Sequence, residues 1–147
     1  MNYLTNNSNP YKKIEHYLYN YNFIDIKIDI LKSDMIDSEY NQSYTRWIKN
    51  KSSSLEDQVI RNISIERRIF KINKWKKLIT DVLEEYKSKN KAYYNFIDLK
   101  YIRKVNSLTI QEKLNLSLKE QKDIRAEILQ YIFFLAIKRQ MLREVNL

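Results

Sequence analysis

The chain has 147 residues, one proline (Pro10), no glycine, no cysteine and a net charge of +9. Without glycine, the tight turns of many-stranded antiparallel sheets and the glycine-rich loops that cradle phosphates or dinucleotides lack the residue they need. Without cysteine there is no disulfide framework, thiol nucleophile or thiolate metal site.

Leu, Ile, Lys and Glu are plentiful, and Asn can end a helix in place of glycine, so the composition points to an all-α protein. The hydrophobic fraction of 44% is enough for a core. The longest apolar run, Tyr131 to Ile137, makes about two helical turns, far short of the roughly 20 residues of a membrane span. The N-terminus is polar and carries no leader pattern. These features predict a cytoplasmic protein with no membrane partner.

Asn9 followed by Pro10 offers a side-chain cap and then proline at the first helical position. Ile14, Leu18, Tyr21, Ile24, Ile28, Leu31 and Met35 follow at spacings of three and four, which predicts one long helix with one apolar face. Ile24, Ile26, Ile28 and Ile30 also alternate with charged residues as a strand would. The helical spacing extends beyond that stretch on both sides, so helix is expected. Residues 38–54, rich in Ser, Asn and Tyr, read as a loop. Ser54 with Asp57 imitates a capping box and opens a second long helix, with Leu55, Val59, Ile63, Ile69, Ile72, Ile79 and Leu83 turned inward. The two long helices are expected to pack as an antiparallel hairpin over residues 1–90.

From Lys91 the layout changes to short helices. Residues 91–147 carry more than half of the net positive charge. Ala92 to Ile102 reads as a helix offering Phe96, Ile97, Leu99, Tyr101 and Ile102 to a core. Two capping boxes then follow, Thr109 with Glu112 and Ser117 with Glu120. Between them Leu114, Asn115 and Leu116 form a turn. Asn tolerates the left-handed conformation, and Leu116 is placed to plug the space between the helices. In the second helix Ile124, Ile128 and Ile132 face inward, while Lys119, Lys122 and Arg125 share another face. A short helix, a tight turn and a second helix with a basic face is the layout of a helix-turn-helix, and such a face can reach phosphates and base edges in a major groove. An ordinary solvated helix face on a bundle has the same spacing.

Other features have plain explanations. Arg67 to Lys77 holds six cations with Phe70 and Trp75 interleaved. It could track a phosphate backbone with Trp75 stacked on a base, but an amphipathic helix with buried aromatics accounts for it better. His16 is the only histidine, so a metal site lacks its ligands. Asp25/Asp29 and Glu84/Glu85 sit among lysines, as surface ion pairs do. Tyr17, Tyr19 and Tyr21 could serve a protein interface, with helix packing the simpler reading. Nothing here supports catalysis or a cofactor.

Residues 99–132, from Leu99-Lys-Tyr-Ile-Arg through Thr109-Ile-Gln-Glu-Lys-Leu-Asn-Leu-Ser117 to the basic helix ending Arg125-Ala-Glu-Ile-Leu-Gln-Tyr-Ile, resemble the C-terminal part of phage-encoded late transcription activators of the RinA/ArpU type. Ile14-Glu-His-Tyr-Leu-Tyr-Asn-Tyr21 and Ser54-Leu-Glu-Asp-Gln-Val-Ile60 resemble upstream pieces of the same group. The resemblance implies a helix-turn-helix like region 4 of sigma factors within residues 91–147, binding double-stranded DNA at a promoter or operator and activating transcription. Ser117, Lys119, Lys122 and Arg125 would face the DNA, and Thr109 and Gln111 would touch its backbone. RNA polymerase and a second copy of the chain are further candidate partners. The sequence departs from the group at Gln111, where a small Ala is usual, and at Gln121, where a small apolar or β-branched residue packs. Two alternatives belong to other classes: a helical adaptor that docks a protein partner, and a small subunit of a phage DNA-packaging machine.

Overall fold

A computed structural model describes residues 9–35 and 53–142. The protein is all-α, with no strand among the described residues. Helix α1 spans Pro10–Tyr19, followed by a 3-10 turn over Tyr21–Phe23 and helix α2 over residues 24–35. Helix α3 runs from Ser53 to Lys89. Helix α4, Lys91–Ile97, widens into a π-helical turn over Asp98–Ile102. Helices α5, Ser107–Leu114, and α6, Leu118–Lys138, complete the chain.

The N-terminal cap behaves as its chemistry dictates. The Asn9 side chain accepts a hydrogen bond of 3.0 Å from the Tyr11 N–H, and Pro10 occupies the first turn. The single long first helix is corrected. The α-helix ends at Tyr19, where the Asn20 side chain turns back to donate to the His16 carbonyl at 2.8 Å. That amide competes with the backbone for the last carbonyls, as Asn does at helix ends. The loop expected over residues 38–54 and the Ser54 cap lie outside the described residues, apart from the backbone of the first α3 turn.

The described residues fall into two compact units. One combines the chain up to Asn22 with the chain from Trp75 onward, and the other holds Phe23–Lys74. This grouping cuts across a division at residue 90. Its reason is visible in the core of the first unit. Ile14 and Leu18 of α1, Trp75, Leu78, Ile79 and Val82 of α3, Phe96, Ile97, Leu99 and Tyr101, Ile110 of α5, and Ile128, Leu129, Ile132 and Ala136 of α6 form one buried cluster. Burying one large aliphatic side chain contributes roughly 1.5–3 kcal/mol, so α1 and the end of α3 cannot be separated from the C-terminal helices without losing that contact. Helix α1 packs on α6 and on the π-helical turn. Tyr17 stacks on Trp75 with ring centroids 5.0 Å apart and planes at 9°. Tyr19 meets Tyr101 edge-on at 4.7 Å, and Tyr21 shares a 2.6 Å hydrogen bond with Thr80. These tyrosines therefore serve packing.

In the second unit, Ile24, Ile28 and Leu31 are buried, while Ile26 and Ile30 are each 56% exposed. Helical spacing, not alternation, decides burial there. Among the described side chains of α3 in this unit, Ile65 and Ile72 are buried. Val59 and Ile63, expected to face inward, are exposed instead.

Candidate nucleic-acid interface

The π-helical turn, α5 and α6 enclose the segment to which the sequence points. At the end of the π turn the Arg103 N–H reaches the Asp98 carbonyl at 2.8 Å, and Lys104 takes a positive φ of 57°. The chain then reverses into α5. The cap of α5 is Asn106, whose side-chain oxygen accepts from the Thr109 N–H at 2.8 Å. Thr109 is thus the third residue of the helix and not its cap, which corrects the first capping box. Asn is at least as good a cap as Thr, and starting at Ser107 lets Ile110 sit on the inner face at 1% exposure.

The turn follows its chemistry closely. Asn115 ends α5 at φ 55°, ψ 43°, in the left-handed region. Leu114 and Leu116 pack against the core. Ser117 caps α6: its hydroxyl accepts from the Glu120 N–H at 3.1 Å and donates to the Glu120 carboxylate at 3.1 Å. With its hydroxyl engaged in this way, Ser117 holds the helix start.

Gln121 resolves one departure from the resembled pattern. It is 6% exposed. Its Nε2 donates to the Ser107 carbonyl at 3.0 Å and the Leu116 carbonyl at 3.1 Å. A buried amide costs free energy unless bonded, and here it ties the start of α5 and the turn to α6. Gln111 stands exposed on α5, and the Gln121 amide donates to the Ser107 and Leu116 carbonyls, not to Gln111.

The basic face of α6 divides. Lys119 and Lys122 are exposed in its first turns, and no carboxylate among the described residues holds either one. Arg125, expected to face outward with them, is turned against α1. Its Nε donates to Glu15 Oε2 at 3.0 Å, and Nη2 donates to Glu15 Oε1. The buried Tyr101 hydroxyl donates to the same carboxylate at 2.8 Å. Burial pushes the Glu15 carboxyl up, but the Arg125 and Tyr101 hydrogen bonds and the charges of Arg125 and Lys100 outweigh it, leaving Glu15 below its ordinary value. Burial and the Glu15 carboxylate push Tyr101 well above the usual phenol range. The three-residue spacing that places Lys119 and Lys122 outward does not keep Arg125 there, because Glu15 on α1 is within its reach.

Beside Lys122 lies a groove of about 480 Å³. Its apolar wall is Phe96, Leu108 and Leu118 and its basic rim is Lys100, Lys122 and the edge of Arg125. Gln121 and Ser107 lie between. Leu108 is 65% exposed and Leu118 49%. Sequence reasoning missed Lys100, Leu108 and Leu118 as part of this surface. The one available signal was that Leu108 and Leu118 open their helices outside the inward stripe.

The remaining candidates do not form sites. Trp75 is 2% exposed and cannot stack on a base. Phe70 is exposed, with the Lys74 ammonium 4.6 Å from its ring centroid. His16 is exposed, with Nδ1 3.4 Å from the Asn20 amide, and no group of His, Asp and Glu among the described residues could hold a metal. No described helix is long and apolar enough to cross a membrane. No family model, curated protein or solved structure matches this chain.

Proposed function

We propose that the protein binds double-stranded DNA through the first turns of α6 and regulates transcription. The carrying observation is the pair Lys119 and Lys122. Both are exposed on one side of a helix start that Ser117 caps and Gln121 pins. A recognition helix works in this way: its N-terminal turns project outward while its later turns build the core. Helix α6 has that polarity, with Ile128, Leu129, Ile132 and Ala136 buried downstream. The net charge of +9 supplies the long-range attraction to a polyanion. Lys119, Lys122 and Lys100 would meet phosphates. Leu108 and Leu118 would meet sugars or thymine methyls, the apolar features of a groove. Gln111 and Thr109 are candidates for backbone contact. Arg125 acts indirectly, by holding α6 against α1.

Fluorescence anisotropy with a duplex of mixed sequence tests this reading. Affinity should fall steeply between about 50 and 200 mM salt, and Lys119→Ala/Lys122→Ala should reduce the logarithmic salt slope by about 2. An unchanged slope in that variant, or binding insensitive to salt, would refute the assignment.

A further inference from the structure

Within α3, Glu56, Ile60, Ile63, Arg67, Phe70 and Lys74 recur at spacings of four, three, four, three and four, and all six are exposed. That is the spacing of a seam between two helices. The apolar members are large and open: Ile60 is 66% exposed, Ile63 43% and Phe70 60%, and Val59 beside them is 55% exposed. The buried residues of the same stretch, Ile65 and Ile72, lie off this stripe. The stripe is therefore a second face of the helix, separate from the one that builds its own unit.

Its order reads meaningfully from both ends. Turned end for end about a two-fold axis beside residue 65, Glu56 falls opposite Lys74, Ile60 opposite Phe70 and Ile63 opposite Arg67. A parallel pairing would instead set Glu56 on Glu56 and Lys74 on Lys74. Self-complementarity under a two-fold rotation is the requirement for an isologous interface. Lys74 already lies over the Phe70 ring, so its charge and that ring would be presented together to Glu56 and Ile60 of the second copy.

We infer that this stripe is a homodimer seam: two copies of the chain pair antiparallel through α3, with Ile60 packed on Phe70 and Glu56 paired with Lys74 across the axis. The inference stands independently of DNA binding.

Sedimentation equilibrium of the full-length protein over the micromolar range tests it. The wild type should dimerise. Glu56→Lys and Lys74→Glu should each weaken association about tenfold, since each change acts twice in a symmetric dimer. The double variant should restore it. Glu56 and Lys74 lie about 27 Å apart along one helix, so restoration can arise only between chains. Glu56→Lys also opposes the helix dipole, whereas Lys74→Glu reads the same contact from mid-helix, and circular dichroism checks helicity in both. Ile60→Ser/Phe70→Ser alters exposed sites and should give a folded monomer. A wild type that stays monomeric, single variants that associate normally, or a double variant that fails to restore association would each overturn the seam.

Discussion

Glu15 and Arg125, 110 residues apart in the chain, meet as a forked ion pair that fastens α1 to α6. The Glu15 side chain is 16% exposed and Arg125 43%. Breaking a buried pair costs about 3–5 kcal/mol, and exposed pairs contribute at most about 1. This half-wet pair falls between, so Arg125→Ala should cost about 1–2 kcal/mol, measured by urea denaturation. Glu15→Ala should cost as much or more, because Tyr101 also loses its acceptor. In the double variant the two losses should be less than additive. Additive losses would mean that the two side chains stabilise the fold separately.

The same pair sets an acid dependence. Glu15 lies below its ordinary value of 4.5 in the folded state. Its contribution is therefore complete above 4.5 and is lost as pH falls through the lowered folded value. Glu15→Gln should be less stable than wild type at neutral pH, and the difference should close on acidification below 4.5. A constant difference across that window would show that Glu15 acts by shape alone.

At the alkaline end the tyrosines reverse the sign. The Tyr131 hydroxyl donates to Glu85, and that bond, burial and the carboxylate charge push it up to about 12. Tyr86, against Tyr93 and Tyr131, is pushed up first by burial and then by its charged neighbours. A raised folded value contributes stability below the ordinary value of 10.0 that is lost as pH rises through the folded one. Unfolding should therefore set in as pH climbs from 10 to about 12. Absorbance at the phenolate band should show a late, cooperative fraction of the twelve tyrosines, which Tyr131→Phe reduces. A single titration near 10 in the folded protein would contradict this.

The turn before α6 gives a local test. Asn115 holds φ 55°, a conformation that costs ordinary residues roughly 1–2 kcal/mol. Asn115→Ala should destabilise by about 1 kcal/mol, while Asn115→Gly should be neutral or stabilising. Gln121→Leu strands the carbonyls of Ser107 and Leu116 and should cost about 1–3 kcal/mol. Thermal denaturation orders these variants. Equal midpoints for Asn115→Ala and Asn115→Gly would remove the turn from the account.

The α-class, the Asn9 and Ser117 caps, the left-handed Asn115 and the inward stripe of Ile128 and Ile132 were all legible in the sequence. Each depends on residues within two helical turns of one another. The Asn106 cap was legible too, since Asn is a strong cap, but Thr109 with Glu112 offered a competing local pattern. What could not be read depends on distant partners. Nothing near Arg125 announces Glu15, and nothing near Gln121 announces the Ser107 carbonyl. The same limit explains Val59 and Ile63. Spacing marks an apolar face but not which of two faces meets a neighbour, and on α3 both faces carry isoleucine.

DNA binding requires that the surface at Lys119 and Lys122 meet a duplex. Amide chemical-shift mapping of the labelled protein during titration with a short duplex measures this directly. Shifts should concentrate at residues 100, 107–111 and 118–122, with Arg125 and α1 little changed. Absence of shifts at low salt, or shifts centred elsewhere in the chain, would contradict it.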